Sequence, residues 1–331
     1  MKEKFQVENI ITPSDYARAS NEIETLQELN KLNVSFLTSY TAEVVKPYMV
    51  VELARKGYKG NLYFAPFNQF EQEILNPDSG LYLSEPDVVV LHVRTEDTHQ
   101  DLITRFAKYS DDELNGLADD IIQRHKIMLE GLRSKSDVKI IVINFGNAQM
   151  TEECFTSSPV AQSQRAYLQQ LNNSLLELCN KITSCYVVDY QQLFNSVGLN
   201  NCIDPKFFYM ARIPFNSNAQ IIFGKVISRT IAATYDPPAK CIVLDLDNTL
   251  WGGVIGEDGI SGIQLSDEYP GNVFKDFQRA VLGLRDQGVL LSIASKNNLH
   301  DVLEVFEKHT DCLLKISDFS SIQIHWEDKA S

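Results

Sequence analysis

The stretch VLDLDNTLWGGVIGEDG, residues 243–259, decides how this chain is read. It opens as an apolar strand, CIVLDLD over 241–247, and breaks at once into a glycine-rich segment. Asp245 and Asp247 stand two apart at the carboxyl end of that strand, the end at which parallel sheets bind ligands. Side chains at i and i+2 of a strand point the same way, so both carboxylates crowd one spot. Two anions that close are costly without a cation between them. A hard divalent ion such as Mg²⁺ resolves the conflict, because it takes oxygen ligands and keeps waters that a phosphate can replace. An acidic pair that merely caps a turn would share the DxD. DxDxT after Val-Leu, followed by Trp-Gly-Gly, is far more specific.

Outward from that stretch, strand-length apolar runs alternate with amphipathic ones, the pattern of parallel sheets covered by helices. Downstream, the pattern predicts a helix near 271–287, strand VLLSIAS (289–295), a helix over 298–309, and strands CLLKI (312–316) and IQIHW (322–326). Upstream, strands are expected at 33–40, 61–67, 87–93, 139–146 and 185–190, with helices near 14–30, 43–57, 111–134, 159–182 and 216–235. Ser14 or Thr12 would cap the first helix. TYDPPAK (234–240) reads as a short stiff linker, since Pro237 and Pro238 cannot extend a helix. The expectation is an α/β chain of two doubly wound parallel-sheet domains, 1–236 and 237–331.

Composition narrows the function classes. The 331 residues carry 30 bases against 44 acids, a net charge of −14, shared as −7 on either side of the Pro-Pro pair. Neither half hides the basic face that phosphate-backbone binding needs, which argues against nucleic acid as a partner. No run of about eighteen apolar residues occurs, and MKEKFQVENI has no apolar signal core, so neither membrane spanning nor export is expected. The six cysteines show no CxxC pair and no zinc-like spacing, consistent with buried free thiols in a cytoplasmic protein.

Residues 243–259 resemble the first motif of the haloacid dehalogenase (HAD) superfamily, and WGGVIGEDG resembles its FkbH-like branch. The resemblance implies an Mg²⁺-dependent phosphohydrolase or phosphotransferase. Asp245 would attack phosphorus and form an aspartyl phosphate; Asp247 would protonate the leaving group and then activate water. Asp245 and Asp247 would hold the metal, and Thr249 would orient the loop. The amides of Leu246, Asp247 and Asn248 would hold phosphoryl oxygens. Gly252 and Gly253 would allow the tight excursion of the backbone, and Trp251 would face substrate or pack beneath the loop. Ser295, which opens SKNN, matches the superfamily hydroxyl that binds a phosphoryl oxygen, although a helix N-cap reads equally well there. Lys329, in HWEDKAS, resembles the lysine that neutralises the aspartyl phosphate; Lys296 and Asn297 are further phosphate or substrate contacts.

Two departures bear on activity. The pattern of the superfamily continues past its lysine to a strand bearing a further acidic metal ligand, whereas this sequence stops at Ser331. The second domain is therefore expected to be an incomplete HAD-like core, with Asp318 and Asp328 the nearest substitutes. Some FkbH-like proteins load a glyceryl unit onto an acyl carrier protein through a cysteine just before SKN; that position is Ala294.

Residues 1–236 resemble the amino-terminal part of FkbH-like proteins, which is similar to an SGNH hydrolase. Ser39 stands where such an esterase keeps its nucleophile, and Asn147 where an oxyanion-hole asparagine falls. The Asp-x-x-His of those enzymes is absent: Asp204 is followed by Pro-Lys-Phe, and His92 and His99 follow the third strand. Arg94 and Asp97 are candidate polar contacts at that strand's end. A binding domain is expected, presenting a phosphorylated small molecule or carrier-linked phosphoester to the second. The alternatives are a non-catalytic recognition module that docks a carrier protein or partner enzyme, and an acyl-loading enzyme.

Overall fold

The computed structural model describes residues 10–26, 28–146, 163–198, 201–236 and 239–326. The chain divides into two compact units, Met1–Asp236 and Pro237–Ser331. Asn147, Cys154, the Pro237–Pro238 pair, Asp328 and Lys329 lie outside the described residues.

In the first unit, β1 (Asn30–Thr38), β2 (Tyr58–Phe64), β3 (Val88–His92), β4 (Lys139–Ile143) and β5 (Cys185–Val188) form a parallel sheet ordered β2-β1-β3-β4-β5. Alternate residues of each strand feed opposite cores. Leu37, Val89, Leu91, Ile140 and Val142 pack on one face against Leu129 and Leu171. Val34, Phe36, Val90, Ile141 and Ile143 pack on the other against Phe223 and Ile227. Two buried faces make the central strands apolar throughout, and all five residues of β3 are buried. The helices that cover them span Pro13–Glu24, Lys46–Arg55, Asp111–Lys135, Gln164–Asn180 and Ser217–Ala233. Thr12 caps the first: it accepts from the Asp15 amide while Asp15 reaches back to the Thr12 amide. Short helices at Phe70–Leu75, Tyr190–Phe194 and Pro205–Ala211 are not legible from periodicity.

In the second unit, β6 (Cys241–Leu244), β7 (Leu290–Ser295) and β8 (Phe319–Ile324) pair in parallel in the order β6-β7-β8. The connecting helices are Gly271–Asp286 and Leu299–Lys308. Trp251 is fully buried in a core with Leu244, Leu246, Ile293 and Val302, and its ring meets Phe306 edge-on at 5.9 Å.

The strand expected at 312–316 does not form. The amides of Leu313 and Leu314 donate to Gln278 Oε1 at 2.8 and 3.2 Å, so they leave no ladder to build. The strand starts at Phe319 instead, earlier than the predicted 322.

Candidate active site

β6 ends at Leu244, and Leu244 pairs with Ile293 of β7. That register carries Asp245 and Ser295 to the same end of neighbouring strands, although 50 residues separate them in sequence. Ser295 Oγ donates to Asp245 Oδ1 at 2.6 Å, and the Leu246 amide donates to the same oxygen at 2.9 Å. Ser295 is buried and does not cap the next helix; Asn298 does, accepting from the His300 amide.

Asp247 is held from three sides. Its Oδ1 accepts from Trp251 Nε1 at 2.9 Å and from the Ile255 amide at 3.2 Å, and its Oδ2 accepts from Asn297 Nδ2 at 3.0 Å. Asn297 also donates to Ser295 Oγ at 3.1 Å and is itself buried. One network therefore joins Asp245, Asp247, Ser295 and Asn297. Trp251 lies beneath the loop and supports Asp247 from below.

The loop is closed by local chemistry. Asn248 adopts a left-handed conformation (φ 55°) and its Oδ1 accepts from the Gly253 amide at 3.0 Å. Gly253 has φ 89°, which costs a side-chain-bearing residue strain. Gly252 pairs with Gln264 through both backbone groups, and a Cβ there would meet Phe274 at 2.7 Å. The Thr249 and Leu250 amides donate to the Leu246 carbonyl, which winds the turn. Lys296 is exposed beside the network.

Sequence reasoning missed Gln278. It is fully buried, and its Nε2 donates to the Leu250 carbonyl at 2.8 Å while Oε1 takes the Leu313 and Leu314 amides. The available signal was an amide on the apolar stripe of its helix, between Phe274 and Val281.

As to a metal, the donors fit Mg²⁺ in kind: the oxygens of Asp245 and Asp247 stand at one strand end, joined by one hydrogen-bond network. Asp247 keeps acceptor capacity, since a carboxylate offers about four lone-pair sites. Among the described residues no three His, Cys, Asp or Glu side chains cluster as a cage. Asp318 does not supply the third ligand. It precedes β8, at the amino end of the sheet, and is bound to Arg285 and the Lys315 amide. The thiols of this unit also stand away from the site. Cys241 begins β6 at the far end, and Cys312 is bonded to the Leu314 carbonyl, its pKa pushed up to about 11 by burial.

The first unit does not build an esterase triad from its described residues. Ser39 Oγ donates to Asp97 Oδ2 at 2.6 Å, and His92 Nδ1 faces the Tyr40 hydroxyl at 3.0 Å. Burial, aided by the charge of Arg94, lowers the His92 pKa to about 3, which leaves a poor general base. Asp204 caps Pro205–Ala211, and His99 faces Tyr109.

Two parallel α/β units, with a carboxylate loop at a strand end of the second, define the class of this protein. Residues 38–231, more than half of the chain, match the family described as FkbH, N-terminal domain, and the chain belongs to the FkbH family. Its structure is similar to the N-terminal part of the protein BF1531 from Bacteroides fragilis, described as containing a phosphatase domain complexed with Mg. The TM-score is 0.79 at 26% identity, over 95% of this chain and 82% of that one. A catalytic mutant of Axe2, an acetylxylan esterase from Geobacillus stearothermophilus, matches at TM-score 0.40 and 14% identity, over 62% of this chain and 96% of that one. The salicylyl-acyltransferase SsfX3 matches at TM-score 0.38 and 12% identity, over 64% and 56%. No curated protein sequence matches the chain.

Proposed function

We propose that this protein is an Mg²⁺-dependent phosphohydrolase or phosphotransferase that works through an aspartyl phosphate on Asp245. The observation that carries the reading is the network joining Asp245, Asp247, Ser295 and Asn297 across two strand ends. The Mg-complexed phosphatase domain in the similar Bacteroides fragilis protein supports it.

Asp245 attacks phosphorus in line, and the bond to the leaving oxygen breaks as Asp247 supplies its proton. Asp247 then takes a proton from water as that water cleaves the acyl phosphate. Trp251 and Asn297 keep the Asp247 carboxylate aimed through both steps. Ser295 Oγ and the Leu246 amide, which now donate to Asp245, turn to the phosphoryl oxygens, joined by the Asp247 and Asn248 amides. Asp245 and Asp247 would hold Mg²⁺, which neutralises charge on the phosphoryl group when bound. Thr249 orients the loop, Lys329 neutralises the acyl phosphate, and Lys296 contacts substrate.

The substrate proposed is a phosphorylated small molecule or a carrier-linked phosphoester brought by an acyl carrier protein, in a cytoplasmic setting. No helix among the described residues is long and apolar enough to cross a membrane. Glyceryl loading by the cysteine route is not proposed, because Ala294 offers no thiol beside Asp245. The test is turnover of an aryl phosphate with Mg²⁺, with trapping of phosphate on the chain. Asp245→Asn should abolish both and Ser295→Ala should slow turnover by about 100- to 1,000-fold. Turnover that survives Asp245→Asn would refute the mechanism.

A further inference from the structure

We infer that the first unit binds a small carboxylic acid with an apolar body, in a cavity at the switch point of its sheet. The inference concerns a different unit from the proposed phosphatase site and does not depend on it. In the order β2-β1-β3-β4-β5 the chain reverses between β1 and β3. The crevice beyond the carboxyl ends of two such strands is where parallel sheets take ligands. A cavity of ≈ 260 Å³ lies there, and its wall includes Arg94, Gln100, Tyr190, Ile203, Phe208 and Arg212.

Arg94 follows β3 by two residues and its side chain is only 12% exposed. Its guanidinium lies 4.1 Å from the centroid of the Phe208 ring. Nη2 stands 3.1 Å from Glu96 Oε1, and Nη1 stands 3.9 Å from Asp97 Oδ2. Those distances give ion pairs without aligned hydrogen bonds: Nη1 and Glu96 Oε1 are both buried with no hydrogen-bond partner. A desolvated charge cluster of this kind stabilises a fold poorly, since apolar residues of similar volume often serve as well or better. At a cavity wall it reads as recognition.

Arg212 supplies the second cation. It ends Pro205–Ala211 in a left-handed conformation (φ 57°), and its carbonyl accepts from the Thr41 amide at 3.0 Å, which ties it to the end of β1. Its guanidinium lies 5.3 Å from the centroid of the same Phe208 ring. Among the described residues no carboxylate pairs with it. Two guanidinium groups thus share one ring. Glu96 and Asp97 counter Arg94, whereas Arg212 is left for an anion. The wall holds two cations and two acids and so carries no net charge, and with Arg212 alone lacking a carboxylate partner it favours a single carboxylate over a phosphate dianion. Ile203, Phe208 and Tyr190 provide the apolar remainder. The site binds rather than turns over: Ser39, 3% exposed, is held by Asp97 and by the Arg94 amide.

The experiment is ligand-observed NMR titration of the full chain with hexanoate and phenylpropionate, their neutral amides, and hexyl phosphate. Arg212 is exposed, so Arg212→Gln should fold normally, and circular dichroism checks this. The acids should bind, their amides should not, and Arg212→Gln should weaken the acids by about tenfold or more. Equal binding of acid and amide, binding of hexyl phosphate that is tighter than that of the acids and is weakened by Arg212→Gln, or no binding of any acid at millimolar concentration would each overturn the inference. So would acid binding that survives Arg212→Gln.

Discussion

Replacing Gln278 with leucine removes three hydrogen bonds to the backbone, and a weak one from the Cys312 thiol, at almost constant volume. The Leu250 carbonyl and the Leu314 amide belong to buried residues, and the Leu313 amide to a half-buried one. Each backbone group left without a partner costs about 1–3 kcal/mol, less where water reaches it. The loss is therefore about 3–6 kcal/mol, and the added apolar burial recovers about 1–2 kcal/mol. A net loss of about 3 kcal/mol is expected in the second unit alone. At a slope of about 1–2 kcal/mol/M, the urea midpoint should fall by about 2 M. The chain has two tryptophans, Trp251 and Trp326, both in the second unit, so intrinsic fluorescence reads that unit selectively. Trp251 is fully buried and reports the unfolding directly. A drop of less than about 0.5 M would show that the Gln278 clamp contributes little, and the account of the missing 312–316 strand would fall with it.

Two further expectations concern the carboxylate loop and the first unit. A double-mutant cycle of Trp251→Phe and Asp247→Ala, measured in chelator, should show a coupling of about 1.5–3 kcal/mol, the range for a hydrogen bond to a charged group. Coupling near zero would mean that Trp251 only fills space. His92 titrates near 6.5 when unfolded but at about 3 in the fold, first because it is buried and then because of Arg94. Its folded pKa is depressed, so stability is intact above pH 6.5 and is lost as pH falls toward 3, because the unfolded chain binds the proton first. The loss should reach up to about 1.4 kcal/mol per pH unit. His125, also lowered by burial, adds in the same direction. Urea midpoints followed by circular dichroism between pH 7 and 4.5 should fall less steeply in His92→Gln; an unchanged slope would remove His92 from the explanation.

Much of the architecture was legible in the order of residues. Apolar strand runs are local signals, and both faces of the first sheet are buried, so its strands could be recognised without their partners. Asp245, Asp247 and Gly253 also announced themselves, because carboxylates at a strand end and a residue with positive φ leave marks in adjacent positions. Even the reversal of strand order between β1 and β3 has no such mark, since it depends on which strands pair.

The fold alone decided what depends on long-range contact. Ser295 could equally have capped a helix; the register of β6 on β7 turned its hydroxyl to Asp245 instead. Trp251 could have faced substrate, but the buried core drew it under the loop, where its N–H met Asp247. CLLKI has the composition of a strand, yet Gln278, some 35 residues earlier, claimed its amides. Hydrophobic pattern sets which segments must be buried; hydrogen-bond partners are chosen only when distant segments meet.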